Sequence, residues 1–189
     1  MLMFKRFLLA FALMALTSPA MLSAAASAGA SAATAPLSSA THGSSVPVAP
    51  RPARIGEPVS WPDVEMLDGS RFNAERAKGR TVIVVFWATT CPFCKRHNAH
   101  IEKLRRAAAG RPLEIVTVAR DKDPQAVRRY LAANGYGFGV TMAQAPMAAA
   151  LHERRVIPLT AVVGPDGKLR EIVPGEMFEE DVMQWLEKL

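Results

Sequence analysis

Cysteine is nearly missing from this chain: Cys91 and Cys94 are the only two in 189 residues. A four-cysteine zinc site is therefore excluded, because no second pair exists to complete it. Long apolar runs are scarce as well. The run Phe7 to Leu16 has ten residues, against the roughly 20 that a helix needs to cross a bilayer. Charge does not gather in blocks. The formal net charge is +6, or +4 with Lys5 and Arg6 set aside, and the basic residues come in pairs at Lys95-Arg96, Arg105-Arg106, Arg128-Arg129 and Arg154-Arg155. Pairs of this kind are solvated helix faces and loops, so nucleic acid is not expected as a partner. Internal repeats are absent too, which leaves a single ordinary domain as the economical reading of the length.

What is present begins with a leader. Lys5 and Arg6 form a basic start, Phe7 to Leu16 an apolar run, and small residues follow, so Met1 to Ala28 reads as an export signal with small-x-small cleavage patterns ending at Ala20, Ala26 and Ala28. An uncleaved leader serving as a membrane anchor is the alternative. Residues 29–54 are dominated by Ala, Ser, Gly, Thr and Pro, cannot repay the entropy of ordering, and are expected to form a flexible linker. The fold is then expected over residues 55–189.

Within that span, Trp61 to Leu67 reads as an edge strand that turns at Asp68-Gly69 and pairs with Arg71-Phe72. Val82 to Ala88 is apolar, β-branched and aromatic almost without interruption, as a strand covered on both faces must be, and is placed at the centre of the sheet. A helix opens at Pro92 and presents Phe93, His97, Ile101, Leu104 and Ala108 at helical spacing until Gly110. Leu113 to Ala119 is a second buried strand. Asp123-Pro124 caps a helix ending at Gly135, Phe138 to Met142 reads as a short strand, and Met147 to Glu153 as a short helix. Leu159 to Val163 and Leu169 to Val173 flank the turn Gly164-Pro-Asp-Gly167 as a hairpin, and a helix from Phe178 puts Val182, Trp185, Leu186 and Leu189 on one face. Alternating strands and helices imply an α/β sandwich, a mixed central sheet with helices on both faces.

Export changes how the cysteines are read, since a disulfide forms and persists outside the cytosol. Cys91 precedes Pro92 at the start of a helix, where unpaired backbone N–H groups and the positive end of the helix dipole favour a thiolate over a thiol of ordinary pKa about 8.5. Cys91 is thus the expected nucleophile. Cys94 lies one turn further, on the inward side, placed to resolve a mixed disulfide between Cys91 and a substrate. A metal site is a competing reading, but Cys91 and His100 on one helix would be roughly 13 Å apart along its axis. A purely structural disulfide is another.

Phe86-Trp-Ala-Thr-Thr-Cys-Pro-Phe-Cys94 resembles the active-site segment of thioredoxin-fold proteins, and with the leader, the Asp-Gly hairpin and the helix from Pro124 to Asn134 the chain is most similar to the periplasmic TlpA/ResA/CcmG group. The resemblance covers Ile55 to Leu189. It implies a thioredoxin-like three-layer sandwich with an extra helix and strand inserted before a strand that starts with a cis-proline. Ile157-Pro158 fits that proline, whose neighbouring backbone would face an incoming peptide. The family commonly has Thr directly after this proline, whereas here the order is Pro158-Leu159-Thr160. Trp87 matches the tryptophan beside the disulfide, and Phe93 between the cysteines is expected at an exposed rim, so Ile157, Pro158, Trp87 and Phe93 are the candidate substrate-binding residues.

Two departures concern proton transfer. Thioredoxin carries a buried Asp six residues before its first cysteine, and Val85 stands there. The group often has Glu three residues after its second cysteine, and His97 stands there, either taking over proton management or simply bonded in the interior. The implied function is an exported thiol:disulfide oxidoreductase, without cofactor or metal and acting as a monomer. It would reduce selected periplasmic protein disulfides, such as those of cytochrome c maturation or of metallochaperones, and be re-reduced by a membrane electron donor of the DsbD/CcdA type. An oxidising member of the same fold, or a copper-binding thiol protein using Cys91, Cys94 and His97, are the competing functions.

Overall fold

A computed structural model describes residues 51–152 and 154–189. The expected leader, and the expected linker up to residue 50, lie outside the described residues. Residues 51–54, the last of that linker segment, are held in place: Ala53 N–H donates to the Ala150 carbonyl at 3.0 Å and Arg51 pairs with Glu57 at 2.7 Å. Ordered structure thus starts before Ile55.

The chain runs through β1 (Val64–Glu65), β2 (Arg71–Phe72), α1 (Ala74–Ala77), β3 (Thr81–Trp87), α2 (Pro92–Ala107), β4 (Leu113–Ala119) and α3 (Pro124–Asn134). It continues with β5 (Gly139–Thr141), α4 (Gln144–Leu151), β6 (Leu159–Val163), β7 (Leu169–Pro174) and α5 (Glu179–Met183), ending in a 3-10 helix, Gln184–Lys188. Five strands form one sheet in the order β5-β4-β3-β6-β7; β3, β4 and β5 run parallel, while β6 and β7 are antiparallel to their neighbours. The mixed sheet centred on β3 is the one the apolar run implies.

Side chains of a strand alternate between faces, and on β3 both faces are covered. Val82, Val84 and Phe86 belong to one core with Val116, Leu159, Phe72, Met147 and Leu151. Ile83, Val85 and Trp87 belong to the other with Cys94, Ile101, Leu104, Val127 and Trp185. Each large side chain removed fully from water contributes about 1.5–3 kcal/mol, so the apolar run fixes β3 as the middle layer and leaves helices to close both sides. The sandwich is three-layered, with α3, β5 and α4 between β4 and the strand that follows Pro158, as the resemblance implies.

Three boundaries differ from the sequence reading. The strand expected over Trp61 to Leu67 pairs with β2 at Val64–Glu65, and beyond it Met66 bridges Thr141 of β5; Pro62 lacks an N–H for a ladder, and Trp61 packs edge-on to Phe72 instead, with ring centroids 5.1 Å apart. Helix α4 begins at Gln144 rather than Met147, since Pro146 is tolerated within a first turn. The expected C-terminal helix gives way to a 3-10 turn after Met183. Val182 in α5 and Trp185 in the 3-10 turn are both buried against the core.

Candidate active site

The site lies at the carboxyl end of β3, where the chain must turn from a buried strand into α2. That turn is pinned from the side. Arg120 N–H donates to the Trp87 carbonyl at 2.8 Å, Thr89 N–H to the Asp121 carboxylate at 3.1 Å, and the Thr89 hydroxyl also donates to Asp121. Cys91 then takes the N-cap position, with φ −88° and ψ 114°, and Pro92 the first helical position, where its missing N–H costs nothing. The Cys91 sulfur accepts the Cys94 N–H at 3.2 Å, the bond an N-cap side chain makes. Cys91 and Cys94 are joined as a disulfide, with Cα atoms 5.2 Å apart. Cys91 is half-buried and Cys94 has no exposed surface. One sulfur can be reached from solution and the other cannot.

Opposite the disulfide, the Ile157–Pro158 bond is cis, and the Ile157 carbonyl oxygen is 4.0 Å from Cys91 Sγ. Pro158 is buried and leads straight into β6, while Ile157 is half-buried at the surface. Phe93 is 55% exposed, as expected of a rim residue. The Arg96 guanidinium lies over its ring, 5.1 Å from the centroid, and forms a two-point pair with Glu176 at 2.6 and 2.5 Å. That hydrogen bond holds the Glu176 carboxyl below the usual carboxylate range.

Trp87 is not a substrate contact. Its side chain has no exposed surface and packs against Tyr130 and Phe138, at centroid distances of 5.0 and 6.2 Å, so an incoming protein cannot touch it. Its place in the site is that of core packing behind Cys94.

His97 is wholly buried, and both ring nitrogens are engaged. Nδ1 accepts the Met177 N–H at 3.3 Å, which places the ring proton on Nε2, 2.9 Å from the Thr160 hydroxyl oxygen. Burial, with the neighbouring His100 adding to it, pushes the pKa of His97 down to about 4, and the ring is neutral near pH 7. Exchanging a proton with Cys94 would break one of these two bonds. The arrangement suits a cross-link better than a proton carrier, and it turns the nitrogens away from service as a third ligand beside the cysteines.

A family model described as Redoxin matches residues 54–184. The chain belongs to the Redoxin family. Among curated relatives, it is 27% identical over 135 residues to the thiol-disulfide oxidoreductase ResA of Halalkalibacterium halodurans, covering 71% of this chain and 77% of that one. It is 24% identical over 123 residues to ResA of Bacillus subtilis, covering 65% and 69%. Among solved structures, a thioredoxin-family thiol:disulfide interchange protein from Chlorobium tepidum superposes with TM-score 0.66 at 23% identity, covering 72% of this chain and 97% of that one. StoA from Bacillus subtilis superposes with TM-score 0.56 at 21% identity, covering 66% and 94%. The thioredoxin-like fold and the ResA-like family are those implied by the Cys-Pro-Phe-Cys segment.

Several residues of the redoxin's site escape sequence reasoning. Asp121 and Thr160 are held against the active-site turn and His97 respectively, 32 and 63 residues from their partners. The segment Gly175–Met177 closes the site's other flank: Gly175 N–H donates to the Pro158 carbonyl at 2.8 Å, and Met177 meets both His97 and His100. No local signal marks any of these, because each acts through a contact that only the fold creates. Asn98, buried one turn beyond Cys94, is the exception: a polar residue on an apolar helical stripe is visible in the sequence.

Proposed function

We propose that this redoxin is an exported thiol:disulfide oxidoreductase that reduces selected protein disulfides. The observation that carries the proposal is the asymmetry of the pair, an accessible Cys91 sulfur at a helix N-terminus accepting the Cys94 N–H, and a Cys94 sulfur sealed in the core. In the reduced protein the same N–H and the helix dipole favour the Cys91 thiolate, which attacks one sulfur of a substrate disulfide. The first substrate sulfur leaves as a thiolate. The Cys94 thiolate then attacks Cys91 in the mixed disulfide, the second substrate sulfur leaves with the electron pair, and the protein is left oxidised. Two electrons pass from the dithiol to the substrate.

The Ile157 backbone beside the disulfide offers an extended peptide its hydrogen-bonding edge, and exposed Phe93 offers an apolar contact. His97 acts as a positioning residue: through Thr160 and Met177 it ties β6 and the Gly175–Met177 segment to α2, fixing the walls between which the disulfide sits. No helix among the described residues is long and apolar enough to cross a membrane, so export and any anchoring rest on Lys5, Arg6 and Phe7 to Leu16. Periplasmic placement, a DsbD/CcdA-type donor and substrates from cytochrome c maturation or metallochaperones follow from the ResA-like resemblance. Catalytic reduction of a protein disulfide tests the proposal. Cys91→Ser is expected to abolish turnover with the fold retained; a variant that still turns over would exclude Cys91 as the nucleophile.

A further inference from the structure

Asn98 lies four residues beyond Cys94 on α2, and both are wholly buried. Side chains at this spacing have Cβ atoms roughly 5–6 Å apart on one helix face. Neither the oxygen nor the nitrogen of the Asn98 carboxamide has a hydrogen-bond partner among the described residues, and the Tyr130 hydroxyl and the Trp87 indole N–H have none either. Burying such groups unmet costs about 1–3 kcal/mol each, so packing alone gives no reason for an amide in place of leucine here.

These groups are neighbours. The Tyr130 ring is 5.0 Å from Trp87, and Trp87 packs in one cluster with Cys94. Burial raises the pKa of the Tyr130 hydroxyl; the Asn98 amide, close by without the alignment of a made hydrogen bond, lowers it, and the Asp121 carboxylate raises it further. Asp121 is half-buried, beside the active-site turn and held by Thr89. Polar groups thus run from the turn of helix carrying Cys94 to a carboxylate with access to water. They occupy a core whose Val85 supplies no acid of its own.

We propose that water held by the Asn98 carboxamide, together with the Tyr130 hydroxyl, carries the proton of the Cys94 thiol to the Asp121 carboxylate. The proposal rests on the reading of Cys91 and Cys94 as a reducing pair. In the resolving step the Cys94 S–H bond breaks, a sulfur–sulfur bond forms to Cys91, and the bond from Cys91 to substrate breaks with its electron pair going to the substrate sulfur. The proton passes along the route to Asp121 and then to solvent. The titratable and charged groups that are buried or half-buried on α2, β4, α3 and the segments after them and after β7 are His97, His100, Glu102 and Arg105 on α2, Glu114 on β4, Arg120 and Asp121 after it, Tyr130 on α3, Tyr136 after it, and Glu176 after β7; β3 and β6 carry none. His97 is bonded at both nitrogens, Glu102 is held by Arg105, Arg106 and the Gly137 N–H, Glu114 and Glu176 are paired with Arg76 and Arg96, and Arg120 donates to the Arg154 and Arg155 carbonyls. Asp121 is the carboxylate left to the Tyr130 hydroxyl.

Stopped-flow reaction of the reduced, full-length protein with one equivalent of dithiobis(nitrobenzoate) separates the two sulfurs. One thionitrobenzoate is released when Cys91 attacks and a second when Cys94 resolves. Tyr130→Phe and Asn98→Leu are each expected to slow the second release at least about tenfold near neutral pH, with the rate still climbing where wild type has levelled. The first release should be unchanged. Because the two act in series, the double variant should be no slower than the slower single one. Tyr130→Phe removes only an unpartnered oxygen, so it remains informative even where Asn98→Leu fails to fold. A second release with wild-type rate and pH profile in Tyr130→Phe overturns the route. Loss of the first release in the otherwise native protein would instead overturn the reading of Cys91 on which the route depends.

Discussion

At the scale of single residues, the site depends on what burial does to groups that titrate. His97 is neutral because burial, with the neighbouring His100 adding to it, disfavours the charged ring, and its pKa falls from the ordinary 6.5 to about 4. In the unfolded chain the ring would charge near 6.5, so between those values the unfolded state binds the extra proton. Stability is therefore fully present above about pH 6.5 and declines as the pH falls toward 4. His97 accounts for roughly 3 kcal/mol of that decline at about 1.4 kcal/mol per unit. Denaturant titrations at stepped pH should show wild type losing more stability across this window than His97→Gln. His152, buried against Phe86 and likewise lowered to about 4, is present in both proteins and cancels in the difference. Parallel pH profiles for the two proteins would mean that His97 is not held neutral.

Among the elements, α2 carries the cysteines at one end and an anchor at the other. Glu102 is buried, which opposes its ionisation. Arg105, Arg106 and the Gly137 N–H at 3.0 Å outweigh that and hold its pKa near 2. Together with the Arg106 bond to the Gly135 carbonyl, this fastens α2 to the segment between α3 and β5. Glu102→Ala is expected to destabilise the fold by about 2–3 kcal/mol in chemical denaturation, while leaving disulfide exchange intact at temperatures where the variant stays folded. A change under about 0.5 kcal/mol would show that the anchor contributes nothing.

The elements legible in the sequence were those whose cause is local. Val82 to Trp87 announces a doubly covered strand by its own composition, and Pro92, Asp123 and Gly135 mark helix ends by their chemistry. Cys91 and Cys94 announce their roles by their position at such an end. What stayed hidden needs a distant partner. Trp87 reads equally as a residue beside the disulfide or a core residue until Tyr130 and Phe138 are seen to cover it, and His97 reads as a proton carrier or a bonded interior histidine until Thr160 and Met177 are seen to occupy both its nitrogens. The tail from Phe178 has a helical pattern, but its geometry is decided by where Val182 and Trp185 must meet the sheet.

For the molecule as a whole, one strand with two apolar faces organises two cores. The active-site turn follows at the strand's carboxyl end, beside the bond between Ile157 and Pro158. The architecture holds one sulfur in and one sulfur out, and the proposed function is that this pair gives electrons to substrate disulfides rather than taking them. Equilibration of the Cys91–Cys94 couple in glutathione buffers of graded composition, read by thiol alkylation, tests that claim directly. A reducing protein is expected to have a potential toward about −270 mV, the reducing end of the range for such dithiol sites. A value near the oxidising end, about −120 mV, would contradict it.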